Sequence, residues 1–377
     1  MIVKQLSSLS EIDKDQWNSL TGFTYPFLRH EFLNALEQSG AVCAQTGWEP
    51  KHLLVYENNE LIALMPLYLK HHSQGEYVFD HQWAQAYQQQ GQDYYPKWLT
   101  AVPYSPCQGP RIIIQNPANP TEVLALLIAF IQEQSSIQGI SSWHCLFPVN
   151  DQAKLLSAAG LLIRSDVQFH WHNLGYRDFA DYLERFSSAK RKQVKRERRR
   201  VDEQGIEFLH LPGREITESQ WTAFYLFYQM TYIKRGMRPY LPLDFFLTIA
   251  ATMPENLLLI LAIKDQRYVG AALSLLGETT LYGRYWGCYE EFNSLHFEAC
   301  YYQGIDYCLL NKLSHFDSGA QGEHKIARGF EPVLTHSAHW LQNQEFAQAI
   351  KRFLDREQKH IEQYRDYAQT LLPFKQT

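Results

Sequence analysis

Two pairs of segments recur in the same order along this 377-residue chain, and they constrain its fold more than any other feature. "VYENNELIALMPLYL" (55–69) and "AIKDQRYVGAALSLL" (262–276) both read as β-hairpins, each with a polar turn followed by a strand that tolerates small residues. Further on, "GLLIRSDVQFHW" (160–171) and "GFEPVLTHSAHW" (329–340) both open with Gly and a hydrophobic residue and close with His-Trp at identical spacing. Two matches in one order point to a duplicated domain. The length suits two domains as well. The expected division is 1–172 and 173–377.

Between the repeats, strand patterns alternate with helical ones. "NPTEVLALLIAFIQEQSS" (119–136) has helical periodicity behind an Asn-Pro start, and "SSWHCLFP" (141–148) is a strand stopped by proline. Residues 257–287 read as three strands, 295–313 as a helix, and 345–372 as a long amphipathic helix. The expected class is α+β, with each copy a mixed, mainly antiparallel sheet flanked by helices. The longest apolar runs, 124–131 and 257–263, are too short to span a bilayer. None of the six cysteines forms a C-x-x-C pair, and no secretory signal opens the sequence, so reduced thiols in a cytoplasmic protein are expected.

The formal charge is −5, yet "SSAKRKQVKRERRRVDEQG" (187–205) holds eight Lys or Arg. This stretch reads as a helix over 188–204, started by Ser187 or Ser188 and stopped by Gly205. Val194 and Val201 share its thin apolar face. It suits a solvated helix paired with acids elsewhere, or a phosphate holder using Lys190, Arg191, Lys192, Lys195 and Arg196. Nucleic acid is a third reading, although no DNA-reading motif is present.

The densest chemistry lies in 281–304 and 316–332. Arg284, Tyr285, Trp286 and Gly287 end a strand, His296 and Glu298 open a helix, and Asp317 ends another strand. Gly319 and Gly322 give an open loop, and Glu323, His324, Lys325 and Arg328 follow. A helix start beside a strand end presents free N–H groups to an anion. A carboxylate and imidazoles nearby can take a proton from an attacking amine. His170 and His172 share a strand face at a spacing zinc sites use, but no third ligand is evident, so no metal is expected. No Walker loop, G-x-S-x-G or G-x-G-x-x-G motif occurs.

Eight strings together resemble a bacterial Fem-like family of N-acyltransferases, the peptidoglycan biosynthesis/recognition family of the GNAT (acyl-CoA N-acyltransferase) superfamily. They are "GWEPKHLL", "GEYVFDHQWAQAY", "YYPKW", "QFHWHN", "SSAKRKQVKRERR", "GRYWGC", "LHFEACYYQGI" and "GAQGEHKIARGFEPV". The resemblance implies tandem GNAT-like domains. In such a domain two strands splay apart around the acyl donor, here "GRYWG" and "FDSGAQG" with the 295–313 helix between them. From its place at a helix start beside a strand end, Glu298 is expected to be the general base, with His296 and His324 as orienting or acid/base partners. Arg284, Tyr285, Trp286, Gly287, Gly319, Gly322, Lys325 and Arg328 would lie on the donor side, with the basic helix at the acceptor cleft. The superfamily's Q/R-x-x-G-x-G/A pyrophosphate loop is absent before that helix, so aminoacyl-tRNA stands beside acyl-CoA as co-substrate, with no bound cofactor. The implied acceptor is an amine, such as a cell-wall precursor. The alternative is a non-catalytic recognition protein of the same fold that binds cell-wall fragments or RNA.

Overall fold

The structure, a computed structural model, describes residues 1–320 and 322–375. The chain forms two compact units, one of Met1–Val167 with Leu334–Tyr364, the other of Gln168–Val333 with Arg365–Thr377.

The duplicated hairpins are present in both. His52–Glu57 pairs with Glu60–Met65, and Leu257–Lys264 with Arg267–Leu276, all antiparallel. Asn58 and Asn59 take φ of 51° and 66°, and Asp265 and Gln266 take 48° and 60°. Two successive left-handed residues match the right-handed twist of a tight hairpin. Each hairpin also slips register at the same distance before its turn, at Val55/Tyr56 and at Ala262/Ile263. A shared turn and a shared bulge are what a duplication leaves behind.

The Gly-to-His-Trp segments are likewise equivalent. They form the eleven-residue strands Leu162–His172 and Glu331–Leu341. In the second unit, Trp171 lies opposite Phe316 and His170 opposite Asp317. In the first, Trp340 lies opposite Trp143 and His339 opposite His144. The two pairings have the same register, but the strands have changed places: the strand from the second half of the chain completes the first unit, and the reverse. Residues 334–364 therefore belong to the first unit, which corrects the uninterrupted 173–377 domain expected from the sequence. The ladder from Ser337–Leu341 to Leu146–Ser142 holds them there.

In the first unit, Pro120–Gln138 packs Val123, Leu127 and Ile131 against Leu53, Val55, Trp98 and Trp143, all almost fully buried. Asn119 caps that helix, with its side chain accepting from Thr121 N, and proline takes the first helical position. Leu341, Ile350 and Leu354 pack on Trp83, Tyr87 and Tyr94 in a smaller cluster. Gln344–Thr370 is the long terminal helix.

In the second unit the strand order is Ile206–Pro212, Leu257–Lys264, Arg267–Leu276, Thr280–Cys288, His315–Asp317 and the last residues, 168–172, of Leu162–His172. All neighbours are antiparallel except Thr280–Cys288 beside His315–Asp317, which run parallel for three residue pairs only. The expected 295–313 helix is not uniform. It starts as α-helix over Leu295–Phe297, widens to a π turn over Glu298–Tyr302, and continues as α-helix over Gln303–Leu310. Such inserted π turns concentrate at functional sites.

Candidate active site

After Tyr282 and Asp317 the two parallel strands part. Arg284 on one strand and Asp317 on the other close the fork with a two-pronged ion pair, Nη1–Oδ1 3.2 Å and Nη2–Oδ2 2.7 Å. Both side chains are almost fully buried. Gly319 N also donates to Asp317 Oδ1 at 2.9 Å, turning the chain away from the neighbouring strand. Burial by itself would raise the Asp317 carboxyl, but the Arg284 guanidinium holds it well below the usual carboxylate range. His170, 3.8 Å from Asp317 Oδ1, is pushed down to about 4 by burial and is neutral at pH 7. His172 instead meets the His315 ring edge-on. Among the described residues no group of three or more His, Cys, Asp or Glu is placed to hold a metal ion.

The fork holds a cavity of about 150 Å³ whose wall includes Arg284, Tyr285, Trp286, His296, Cys300 and Tyr301. A more open groove of about 520 Å³ has Thr231, Lys234, Arg235, Phe292 and Phe297 in its wall. Trp286 and His296 belong to both walls. The Trp286 and His296 rings meet edge-on with centroids 5.7 Å apart. Burial, then the charges of His324, Arg328 and Lys325, push the His296 imidazole down to about 4, so it is neutral and has one nitrogen free to accept a proton.

The other site residues expected from the sequence, with Tyr285 of the cavity wall, have packing or hydrogen-bond partners of their own. Tyr285 sits in an aromatic cluster with Tyr228 and Phe246 at 5.5 and 5.3 Å. Gly287 is a packing position, for a Cβ there would stand 1.9 Å from the Phe227 carbonyl oxygen. Gly319 and Gly322 take φ of 96° and 118°. Lys325 is buried, donates to Gly319 O at 2.6 Å, and is pulled down by burial to about 8. His324 Nε2 shares a 2.7 Å hydrogen bond with the Tyr301 hydroxyl. Arg328 lies 3.4 Å over the Phe297 ring.

Glu298 takes no part in the described cavity wall and is bound to the basic helix instead. Arg198 Nη2 lies 3.0 Å from Glu298 Oε1 and donates to Asp306 Oδ2 at 2.6 Å, and Gln303 donates to Glu298 Oε1 at 2.7 Å. Glu298 Oε2 is buried with no partner among the described residues. Burial raises the carboxyl, and Arg198 only partly offsets that.

The basic helix spans Ser188–Glu203 and buries Val194, Glu197 and Val201. Glu197 accepts from Arg328 Nη2 at 2.9 Å, from Gln193 at 2.9 Å, and from the Tyr302 hydroxyl. Neither Glu197 nor Arg198 stood out in the sequence, where both are lost among like neighbours. Their one signal is position, since each falls at helical spacing from Val194 or Val201. Lys192, Lys195 and Arg196 are exposed, and Lys190 and Arg191 are half-buried. None of these five forms an ion pair among the described residues. Among the described residues only Arg198 reaches acids elsewhere in the chain, so the expectation that the helix's arginines pair off is met there at one position.

The doubled hairpins, the exchanged strands and the forked parallel pair with a helix in between define a tandem GNAT-type fold. In the first unit the corresponding fork is closed: Lys97–Thr100 runs parallel to Ser142–Leu146, a bridge joins Gly109 to Pro148, and the buried Arg111 donates to Leu146 O at 2.7 Å. The chain belongs to the FemAB-like family, described as peptidoglycan biosynthesis/recognition, which it matches over residues 8–376. Among solved structures it is similar to FemX, at 12% identity over 93% of this chain and 100% of that one, with a TM-score of 0.54. It is also similar to the C-terminal domain (DUF2156) of a putative lysylphosphatidylglycerol synthetase from Agrobacterium fabrum, at 10% identity over 91% and 96% of the two chains, TM-score 0.53. Similarity at this identity is similarity of fold. No curated protein sequence matches the chain. No described helix is long and apolar enough to cross a membrane. Family and fold point to a transferase.

Proposed function

We propose that the chain is an acyltransferase that moves an acyl or aminoacyl group onto an amine, with the second unit's fork as the reaction site. The observation that carries this is the meeting of the fork's cavity with a larger groove at Trp286 and His296. The acyl group would occupy the cavity and the acceptor amine would enter from the groove. Lys234 and Arg235 on the groove wall suit anionic groups of either substrate. The amine nitrogen attacks the donor carbonyl, its proton passes to the neutral His296, and as the carbonyl carbon's bond to the thiol sulfur or ribose oxygen breaks, His296 returns that proton to the departing sulfur or oxygen. A buried imidazole is a weak base, but an amine that has just bonded to a carbonyl carbon is strongly acidic.

Glu298 then acts as a positioning residue, holding the π turn to Arg198, and His324 fixes Tyr301 beside the cavity. Acyl-CoA and aminoacyl-tRNA both satisfy this chemistry as donor, and a peptidoglycan precursor is the acceptor that family membership favours. Lys190, Arg191, Lys192, Lys195 and Arg196 supply unpaired positive charge for a phosphorylated substrate.

The test is turnover of radiolabelled acetyl-CoA and aminoacyl-tRNA pools with a cell-wall precursor amine. His296→Gln should lower kcat by roughly a hundredfold with little change in KM. Glu298→Gln, which keeps the shape and the bond to Arg198, should cost less than tenfold and lower the melting temperature. A His296→Gln protein with unchanged kcat refutes the assignment, and absence of turnover with every donor refutes the activity.

A further inference from the structure

A buried relay in the first unit has no part in the chemistry above. It begins at Lys97, which contacts Asp80 and lies 2.8 Å from Glu76 Oε2. The Tyr94 hydroxyl donates to Asp80 Oδ2 at 2.6 Å and lies 3.1 Å from His144 Nε2. His144 Nδ1 is 2.6 Å from His339 Nδ1, and His339 Nε2 is 2.8 Å from Ser337 Oγ. Asp80, His144, Ser337 and His339 are all buried.

The proton order along this chain is fixed from both sides of His144. Tyr94 gives its proton to the Asp80 carboxylate, so its oxygen can only accept from His144 Nε2–H. Ser141 donates to the Tyr94 carbonyl, and Ser142 Oγ, 3.0 Å from Ser141 Oγ, donates to it. Ser142 Oγ, 2.8 Å from His144 Nε2, must then accept from the same N–H. With the proton on Nε2, a neutral His144 accepts at Nδ1, so His339 donates from Nδ1 and accepts at Nε2. Ser337 therefore points its hydrogen at His339 and keeps its oxygen lone pairs for whatever else it meets.

Ser337 lines a small pocket of about 40 Å³, together with Tyr77, Phe147, Asp166, Thr335 and His336. That is room for one small polar group. Tyr77 and Phe147 take φ of 62° and 55°, backbone strain of the kind that gathers at functional sites. Asp166 uses Oδ1 to accept from Val167 N at 2.7 Å, which leaves Oδ2 without a partner among the described residues. Arg164, also in the wall, is neutralised by Glu357 through Nε–Oε2 of 2.8 Å and Nη2–Oε1 of 2.7 Å. The pocket thus offers oriented acceptors and the Asp166 carboxylate, on which the charges of Arg164 and Glu357 act in opposite senses. Phe79 and Arg164 also belong to the wall of a groove of about 620 Å³, which adds the exposed cation Arg356 with His81 and His360.

We propose that the first unit carries a ligand site for the primary ammonium of a small zwitterion, an amino acid or short peptide. The ammonium donates to Ser337 Oγ and Asp166, and the ligand's anionic end lies along the groove toward Arg356. This site stands independently of the transferase reading, since it uses none of the second unit's residues.

The experiment is isothermal titration of the full chain with alanylalanine, its N-acetyl derivative and its methyl ester at pH 7. Saturable binding of the free dipeptide is expected, weakened by about tenfold or more on N-acetylation, the worth of a hydrogen bond to a charged group. Esterification should weaken it less. Asp166→Asn, at an exposed position that leaves the fold intact, should weaken it by a similar factor to N-acetylation, and Ser337→Ala should do the same. Equal binding of free and N-acetyl dipeptide, unchanged binding in Asp166→Asn, or no dipeptide binding up to tens of millimolar would each overturn the proposal.

Discussion

Asp317→Asn is the sharpest perturbation of the forked site. At 2.7 Å and an effective dielectric near 20, the Arg284–Asp317 attraction is roughly 6 kcal/mol before desolvation is counted. Removing one charge strands a guanidinium whose side chain is 2% exposed, and breaking such a buried pair costs about 3–5 kcal/mol. For a unit of this size each kcal/mol is about 2–4 °C, so the melting temperature should fall by roughly 6–20 °C. The double variant Arg284→Met/Asp317→Leu removes both charges and should recover most of that loss, because an apolar pair of similar volume often matches a buried ion pair. The pair also fixes a pH dependence. The Asp317 carboxyl is held well below its unfolded value, so its contribution is present above about pH 4 and is lost as pH falls below that. Thermal unfolding between pH 3 and 7, by calorimetry, should show this acid loss in the wild type and a smaller one in the double variant. An Asp317→Asn melting temperature within about 2 °C of wild type would refute the view that this pair holds the fork together.

Gly287→Ala should destabilise by about 1–3 kcal/mol or more, because its Cβ meets the Phe227 backbone, which cannot swing aside. Gly270→Ala, whose nearest neighbour is the tip of the Trp286 ring at 3.0 Å, should cost less, and denaturant unfolding of the two separates them. On the basic helix, Arg191→Ala, Lys192→Ala and Arg196→Ala should leave stability within about 0.5 kcal/mol, while Arg198→Ala, which leaves the buried Glu298 carboxylate uncompensated, should cost about 2 kcal/mol or more. If the exposed charges grip a phosphate backbone, tRNA affinity measured across a salt series should fall steeply, the log–log slope shrinking by about 0.7–0.9 for each contact removed. A flat salt dependence would exclude that use of the helix.

Much of this molecule can be read in one dimension, and what can be read is local. Asn58-Asn59 and Asp265-Gln266 mark their hairpins because a tight turn needs particular backbone angles from adjacent residues. The Asn-Pro start at 119–120 fixes a helix entrance because a cap and its first turn are neighbours in sequence. The paired Gly-to-His-Trp strings survive as equivalent strands because inward and outward faces alternate residue by residue along a strand. That Arg284, Trp286 and His296 come together in one cavity wall was legible because strand end and helix start stand close together in the sequence as in the fold.

Tertiary structure decided the rest, because the deciding partners are far apart in sequence and no local pattern encodes which strand ends beside which. Glu298 looked like a base at a helix start, yet the Arg198 that occupies it comes from another helix. His339 and His144, far apart in the sequence, meet at 2.6 Å only because Glu331–Leu341 pairs with Ser142–Leu146. The sequence by itself determined that there are two copies of one hairpin-based fold and which strand end and helix start line one cavity. Which copy keeps an open fork, which strand completes which unit, and which way each buried proton points depend on pairings between distant segments, and those exist only once the chain has folded.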